Sequence, residues 1–226
     1  MKIKIITIAS SSEGNCYVIE SGDEQLMIEC GVSLNRVRES LGFDLSKIVG
    51  CLVSHEHADH CGHIGELSMF LNIPVFGPDI AVFPNFRPVD DTFKIQCGDE
   101  FFIKPIRLDH GKTECLGYIV KYGSELLLYA TDTGSCDYTV PGLTHLMIEA
   151  NHSLDKLLAS GAARSHRSHA ADNHLSIDAA VEVAKRHKKT LREIHLIHLS
   201  DAHSDEEEFK RRMREATGVP VYVAKK

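Results

Sequence analysis

The stretch His55-Glu-His57-Ala-Asp59-His60 places four side chains able to bind a metal within six residues, directly after the apolar run Ile48-Val-Gly-Cys-Leu-Val-Ser54. The pattern predicts a buried strand that delivers the chain into a polar loop. His55 and His57, two residues apart, can turn toward one metal, and Asp59 and His60 toward a neighbouring one. Mixed nitrogen and oxygen donors suit zinc, manganese or iron(II) rather than calcium. One short loop cannot supply every ligand for two ions, so further His and Asp residues should follow other strands. They do so in Asp109-His110-Gly111, in Thr131-Asp132-Thr133-Gly134, and in His198, which closes Ile194-His-Leu-Ile-His198. Polar residues at strand ends are where sites gather in layered α/β folds.

The elements that must position these groups follow from periodicity. Short strands are predicted over 2–8, 15–20, 25–29, 48–54, 74–77, 101–107, 116–122 and 125–131, several of them β-branched runs that end in turn residues such as Ser21-Gly22-Asp23. Helices are predicted near 33–41, closed by Gly42, and over 62–72, stopping before Pro74. The second half alternates differently: a strand over 144–150, a Ser-capped helix over 153–160, and an amphipathic helix over 176–187 with Ile177, Ala180, Val181 and Ala184 on one face. A strand over 193–199, a helix over 204–216 and a last strand over 219–223 complete it. Strand-rich segments with helices after each half predict an α/β fold, two packed sheets with helices outside, a four-layer αββα sandwich. No repeat, low-complexity tract or Pro/Ser-rich linker divides the chain, so residues 1–226 are read as one domain.

Composition bounds the function. With 43% hydrophobic and 25% charged residues the chain can bury a real core. A formal net charge of −7 excludes a uniformly basic nucleic-acid coat but leaves room for a local basic groove. The seven cysteines are odd in number, scattered, and form no C-x-x-C pair, so they are expected to be reduced, buried, small apolar residues rather than a disulfide framework. The opening MKIKIITIASSSEGN fits a first strand better than a signal peptide, and no stretch approaches the ~20 apolar residues of a membrane span. A cytoplasmic protein with no membrane partner is expected; its oligomeric state is left open.

These motifs resemble those of the metallo-β-lactamase superfamily: His55-x-His57-x-Asp59-His60, His110, Asp132 in T-D-T-G, and His198 in H-L-S. The resemblance runs from Ser10-Ser-Ser-Glu-Gly-Asn15 to the last strand. More narrowly it is similar to the YycJ/WalJ-like branch, with Asn151-His152-Ser153, Asn173-His174-Leu175-Ser176 and His198-Leu199-Ser200 as the late matches. That implies kinship with RNase Z, RNase J and other nucleic-acid phosphodiesterases. It also implies ligand roles: His55, His57 and His110 for one metal, Asp59, His60 and His198 for the second, and Asp132 as the bridge. Two divalent ions, zinc or manganese with iron also admissible, would hold a hydroxide between them and polarise a scissile phosphoryl group, with Asp59 or Asp132 orienting the nucleophile. One departure stands out: where many relatives have Asp in a D-C-G turn, this chain has Glu29-Cys30-Gly31.

The same resemblance makes the non-ligand His174 the candidate proton donor to the leaving group; the plain alternative is a solvated residue beside a helix cap at Asn173 or Ser176. Ser12 and Asn15, in the Ser10–Asn15 turn, and His152, at the pocket rim, are candidate substrate contacts. Arg164-Ser-His166-Arg167-Ser-His169 reads as a cationic loop, and Arg164 and Arg167 in it are candidates for phosphate-backbone contact. His63, His145, His187, His195 and His203 belong to no constellation and are read as surface or turn residues. The function read from all this is a metal-dependent phosphodiesterase or exonuclease-like nuclease acting on DNA or RNA. The alternatives are a hydrolase of a small ester, thioester or lactam on the same fold, and a non-catalytic metal-holding module.

Overall fold

The computed structural model describes residues 2–80, 83–161 and 163–224, with every side chain among them except that of His166. Two sheets form. The first has strands β1 (Lys4–Ser11), β2 (Gly14–Ser21), β3 (Glu24–Ile28), β4 (Ile48–Leu52), β5 (Val75–Gly77) and β6 (Phe86–Pro88), hydrogen-bonded in that order. The second runs β13 (Val221–Val223), β12 (Glu193–Ile197), β11 (His145–Glu149), β10 (Glu125–Ala130), β9 (Thr113–Tyr122), β8 (Phe101–His110) and β7 (Ile95–Cys97). Antiparallel hairpins open each half, and parallel crossovers through helices follow, which is why the patterning changes along the chain.

The layers are visible in what each face buries. Between the sheets, Tyr17, Ile19, Leu26, Ile28 and Leu52 meet Tyr118, Val120, Leu127, Tyr129, Met147 and Ile197. Outside the second sheet, Leu128, Ile148 and Leu196 pack with Ile177, Ala180 and Ala184 of α6 (Ile177–His187) and with Phe209 and Met213 of α7 (Glu206–Thr217). Outside the first, Val18, Met27 and Val53 pack with Leu34 and Val37 of α1 (Leu34–Ser40). This is the αββα sandwich expected. β11, covered on both faces, is buried at all five positions, whereas β8, nearer an edge, alternates buried and exposed along most of its length.

Four expectations need correction. The helix expected over 62–72 is broken into α2 (Ala58–Cys61), α3 (Ile64–Glu66) and a π turn, Leu67–Leu71, that ends at a left-handed Asn72. Gly62 and Gly65 weaken it, and it starts earlier than expected because Asp59 and His60 lie in a helical turn rather than in a loop. The cationic loop is instead a helix, α5 (Arg164–Asn173), which follows α4 (Leu154–Ala159); its sequence has no apolar stripe to announce it. Its end packs so closely on two turns that a Cβ on Gly134 would sit 2.1 Å from the Asp172 carbonyl oxygen, and one on Gly111 would sit 2.6 Å from Asn173 Oδ1. Finally, His145, His187 and His195 are buried, not surface residues. His145 and His195 face Glu193, a charge supplied by the neighbouring strand for His145 and by the same strand for His195. The seven cysteines are free and six are buried, and among the described residues no helix is long and apolar enough to cross a membrane.

His187 carries a pH-dependent share of stability. Its Nε2 accepts from the Val140 amide at 2.9 Å, and its Nδ1 donates to the Val183 carbonyl at 3.0 Å. Burial holds the ring below the usual histidine range, against the Val183 hydrogen bond, which favours the charged form. The unfolded chain therefore takes up this proton more readily. The contribution is complete above about pH 6.5 and is lost as pH falls through the lower folded value. His187→Gln removes this sensitivity, so the thermal-midpoint advantage of wild type over the variant should shrink between about pH 7.5 and pH 5. A gap that stays constant over that range would contradict a neutral, buried ring.

Candidate metal centre

All the candidate ligands lie where strands of both sheets end. Beyond β4, Val53 and Ser54 continue inward and present His55, fully buried, with Nδ1 2.8 Å from Ser54 Oγ and Nε2 2.9 Å from His57 Nδ1. His57 caps α2, whose first turn carries Asp59 and His60. β8 ends on His110; Asp132 and His198 follow β10 and β12. Asp132 and His198 have positive φ, 47° and 53°, as does Glu29 after β3, at 63°. The backbone breaks sharply at each of these strand ends and turns its side chain into the same space.

The donor atoms fall into overlapping groups, each within 4.8 Å: His55, His57 and His110; Asp59, His60 and His198; and His55, His60 and Asp132. The first two match the division implied by the resemblance, and the third joins them through Asp132. A fourth group adds Glu149 and His174 to Asp132 and His198. His60 Nε2 is 3.1 Å from Asp132 Oδ2 and 3.2 Å from Asp59 Oδ2. His198 Nε2, 3.6 Å from Asp59 Oδ2, is buried with no hydrogen-bond partner. A buried nitrogen without a hydrogen-bond partner, facing a carboxylate, is a donor pair that a cation would satisfy. The residues present therefore fit a divalent metal, with nitrogen and oxygen donors of the zinc or manganese kind.

Electrostatics agree with that reading. Burial, then the charge of His60, drives His55 down to about 2, so it is a neutral donor. Burial, the largest single influence, would lower His60 and His198, but the surrounding carboxylates together outweigh it, Asp132 first at both, then Glu29 at His60 and Asp59 and Glu149 at His198; His60 is held well above the usual range and His198 up to about 10. Burial alone would raise Asp132, yet His198 and His60 hold it well below the carboxylate range.

The groups behind the ligands are equally ordered. Glu29 accepts from the Ser54 amide at 3.1 Å and from the Tyr129 hydroxyl at 2.9 Å, and lies 3.5 Å from His60 Nδ1. The longer carboxylate thus still reaches the site. Glu149, which sequence reasoning missed, is fully buried; its Oε1 is 2.7 Å from His174 Nδ1 and 2.9 Å from His198 Nδ1. Its signal was available: a lone carboxylate closing the apolar run of β11. Such a partner fixes the tautomer and direction of a histidine ligand. Ser10 Oγ accepts from the His198 amide at 2.9 Å.

The other candidates are more scattered. Asn15 is buried, its amide 3.3 Å from Asp59 Oδ2 and 3.1 Å from His60 Nε2, so it touches candidate ligands. Ser12 is an exposed residue of the β1–β2 turn, and nothing brings it to the centre. His174, at the end of α5, joins the centre, and His152, expected at the pocket rim, is buried. His110 Nδ1 is 3.2 Å from the Asn173 carbonyl oxygen, so α5 leads outward from the metal centre. Arg167 and Arg164 stand on it about 9 and 14 Å along the axis from Asn173. They make no ion pair among the described residues. A cleft of about 610 Å³ opens along residues 107–115 beside His110 and Lys112.

Comparison with known proteins places these features. The family model of the metallo-beta-lactamase superfamily matches residues 12–134. Exodeoxyribonuclease YycJ of Bacillus anthracis is 24% identical over 176 residues, 70% of this chain and 66% of that protein. Ribonuclease J 2 of Streptococcus pyogenes is 26% identical over 61% of this chain but only 28% of its own length. The chain thus spans just under two thirds of the first relative and little more than a quarter of the second. The crystal structure of the metallo-beta-lactamase fold protein YhfI from Bacillus subtilis superimposes with a TM-score of 0.78 at 19% identity, covering 100% of this chain and 98% of that one.

Proposed function

Because this chain belongs to the metallo-β-lactamase superfamily, and is accordingly a hydrolase, we propose that the bond it cleaves is a phosphodiester in DNA or RNA, taken from a strand end. The observation that carries the reading is Asp132, a buried carboxylate shared between the donors of both halves of the centre. Two divalent ions are the loading we propose, held by His55, His57 and His110 on one side, by Asp59, His60 and His198 on the other, and by Asp132 between. When bound, such ions supply Lewis acidity: hydroxide becomes available at neutral pH and charge on the phosphoryl oxygens is neutralised.

The chain's own residues do the rest. Glu29, Glu149 and Asn15 hold the ligands in register, which lowers the reorganisation needed on binding. His174 hands a proton to the leaving oxygen; against burial, Glu149 and then Asp132 raise its ring above the usual histidine range and so favour the proton-bearing form. Arg167 and Arg164 take successive backbone phosphates as the strand lies along α5. The similarity to an exodeoxyribonuclease and to a ribonuclease supports a polymeric substrate.

The decisive assay incubates purified protein, loaded with zinc or manganese, with end-labelled single- and double-stranded DNA and RNA, beside thioester and lactam panels. Shortening of a labelled strand, weakened by added salt, is expected. Turnover of a thioester or lactam with every nucleic acid intact would transfer the site to small-molecule hydrolysis.

A further inference from the structure

The chemistry just described leaves His152 unused. It stands three residues beyond Glu149, and its backbone is clamped from two sides. It bridges to Ser176, and its carbonyl accepts from the Ile177 amide at 2.8 Å. Next to it, Asn151 accepts from the Ser200 amide at 3.0 Å and donates through its side chain to the His198 carbonyl at 3.2 Å. His152 is thus fixed between the segment that carries His174 and the segment that carries His198.

The residue is 3% exposed, and its Nδ1 is fully buried without a hydrogen-bond partner; no hydrogen bond to Nε2 is made among the described residues. Burial keeps it neutral against the pull of Glu149, and His174 and His203 act in the same direction as burial. A rigid backbone holding an unpartnered buried imidazole is a standing cost to the fold. A bare lone pair is easier to leave unpaired in such a place than an N–H. The favoured tautomer therefore leaves Nδ1 unprotonated and puts the proton on Nε2, where it needs an acceptor.

Resting on the phosphodiesterase reading above, we propose that His152 binds substrate, its Nε2–H donating to an oxygen of the leaving nucleotide beside His174. The acceptor is a phosphate or sugar oxygen. The residue would then set preference for a nucleotide over a leaving group that offers no such oxygen.

The test compares metal-loaded wild type, His152→Ala and His152→Gln on a deoxydinucleotide, the same dinucleotide with a terminal phosphate, and bis(p-nitrophenyl) phosphate, whose leaving group carries neither sugar nor phosphate. His152→Ala should lower kcat/KM on the dinucleotides by about 10- to 100-fold, the range of a hydrogen bond to a charged or strongly polar group, with the small diester unchanged. His152→Gln, which restores an N–H donor near the Nε2 position, should recover most of the loss. A loss confined to the phosphorylated dinucleotide assigns the phosphate; a loss on both assigns a sugar oxygen. His152→Leu should leave the thermal midpoint unchanged or raised, because it removes an unpartnered polar group. If wild type cleaves none of the three substrates, the phosphodiesterase reading fails and this proposal fails with it. If wild type cleaves them but His152→Ala slows all three equally, this proposal alone is overturned.

Discussion

Asp132→Asn is expected to lower hydrolysis by about 10³-fold or more, the equivalent of roughly 4 kcal/mol, and to reduce the metal bound per chain. Asparagine keeps the size of the side chain and tolerates the left-handed backbone at this position, where φ is 47°. The fold should therefore persist, and the loss can be attributed to charge. The carboxylate it replaces faces His60 at 3.1 Å and His174 and His198 at 3.5 and 3.7 Å. No other side chain in the donor groups occurs both with His55 and His60 and with Glu149, His174 and His198. Steady-state turnover together with metal analysis of the purified variant measures both effects. Near-wild-type turnover with full metal would remove Asp132 from the bridging role.

The second large effect is expected at His174. His174→Ala should lower turnover by about 10²- to 10⁴-fold, the usual range for a positioned proton donor, while metal content stays that of wild type. The two readouts separate two roles that proximity leaves entangled, because His174 lies in one donor group with Asp132 and His198. Its Nδ1 is already committed to Glu149 at 2.7 Å, tighter than its 3.5 Å approach to Asp132. A ring held that way keeps its other nitrogen for the proton transfer proposed above. Metal loss in the variant would instead make His174 a ligand.

Much of this centre was legible in the sequence because its chemistry is local. His55 to His60 share six residues, and each distant partner sits where an apolar run stops. The strands were legible for a related reason: β-branched and aromatic residues recur with period two or in short, fully apolar runs. What escaped depends on tertiary contacts. α5 has almost no buried face and is fixed by its end against Gly111 and Gly134, so no periodicity marks it. β6 and β7 are three residues each, too short for a pattern to repeat. His145 and His187 looked solitary because their partners, Glu125 and Glu193 for one and the Val140 amide for the other, lie far away in sequence. Glu149 was passed over as a strand residue, since its importance lies in two imidazoles, one from the middle of the following crossover and one from beyond the strand it leads to.

The left-handed turns at Glu29, Asp132 and His198 have a consequence for anyone redesigning the protein. β-branched residues fit that conformation poorly, and glycine, asparagine and aspartate fit it best. A combinatorial library that diversifies these three codons freely would carry a backbone penalty of about 1–2 kcal/mol at each position for most side chains. Variation at these three positions is therefore best confined to asparagine, aspartate and glycine, which keep the turn that aims the strand end inward.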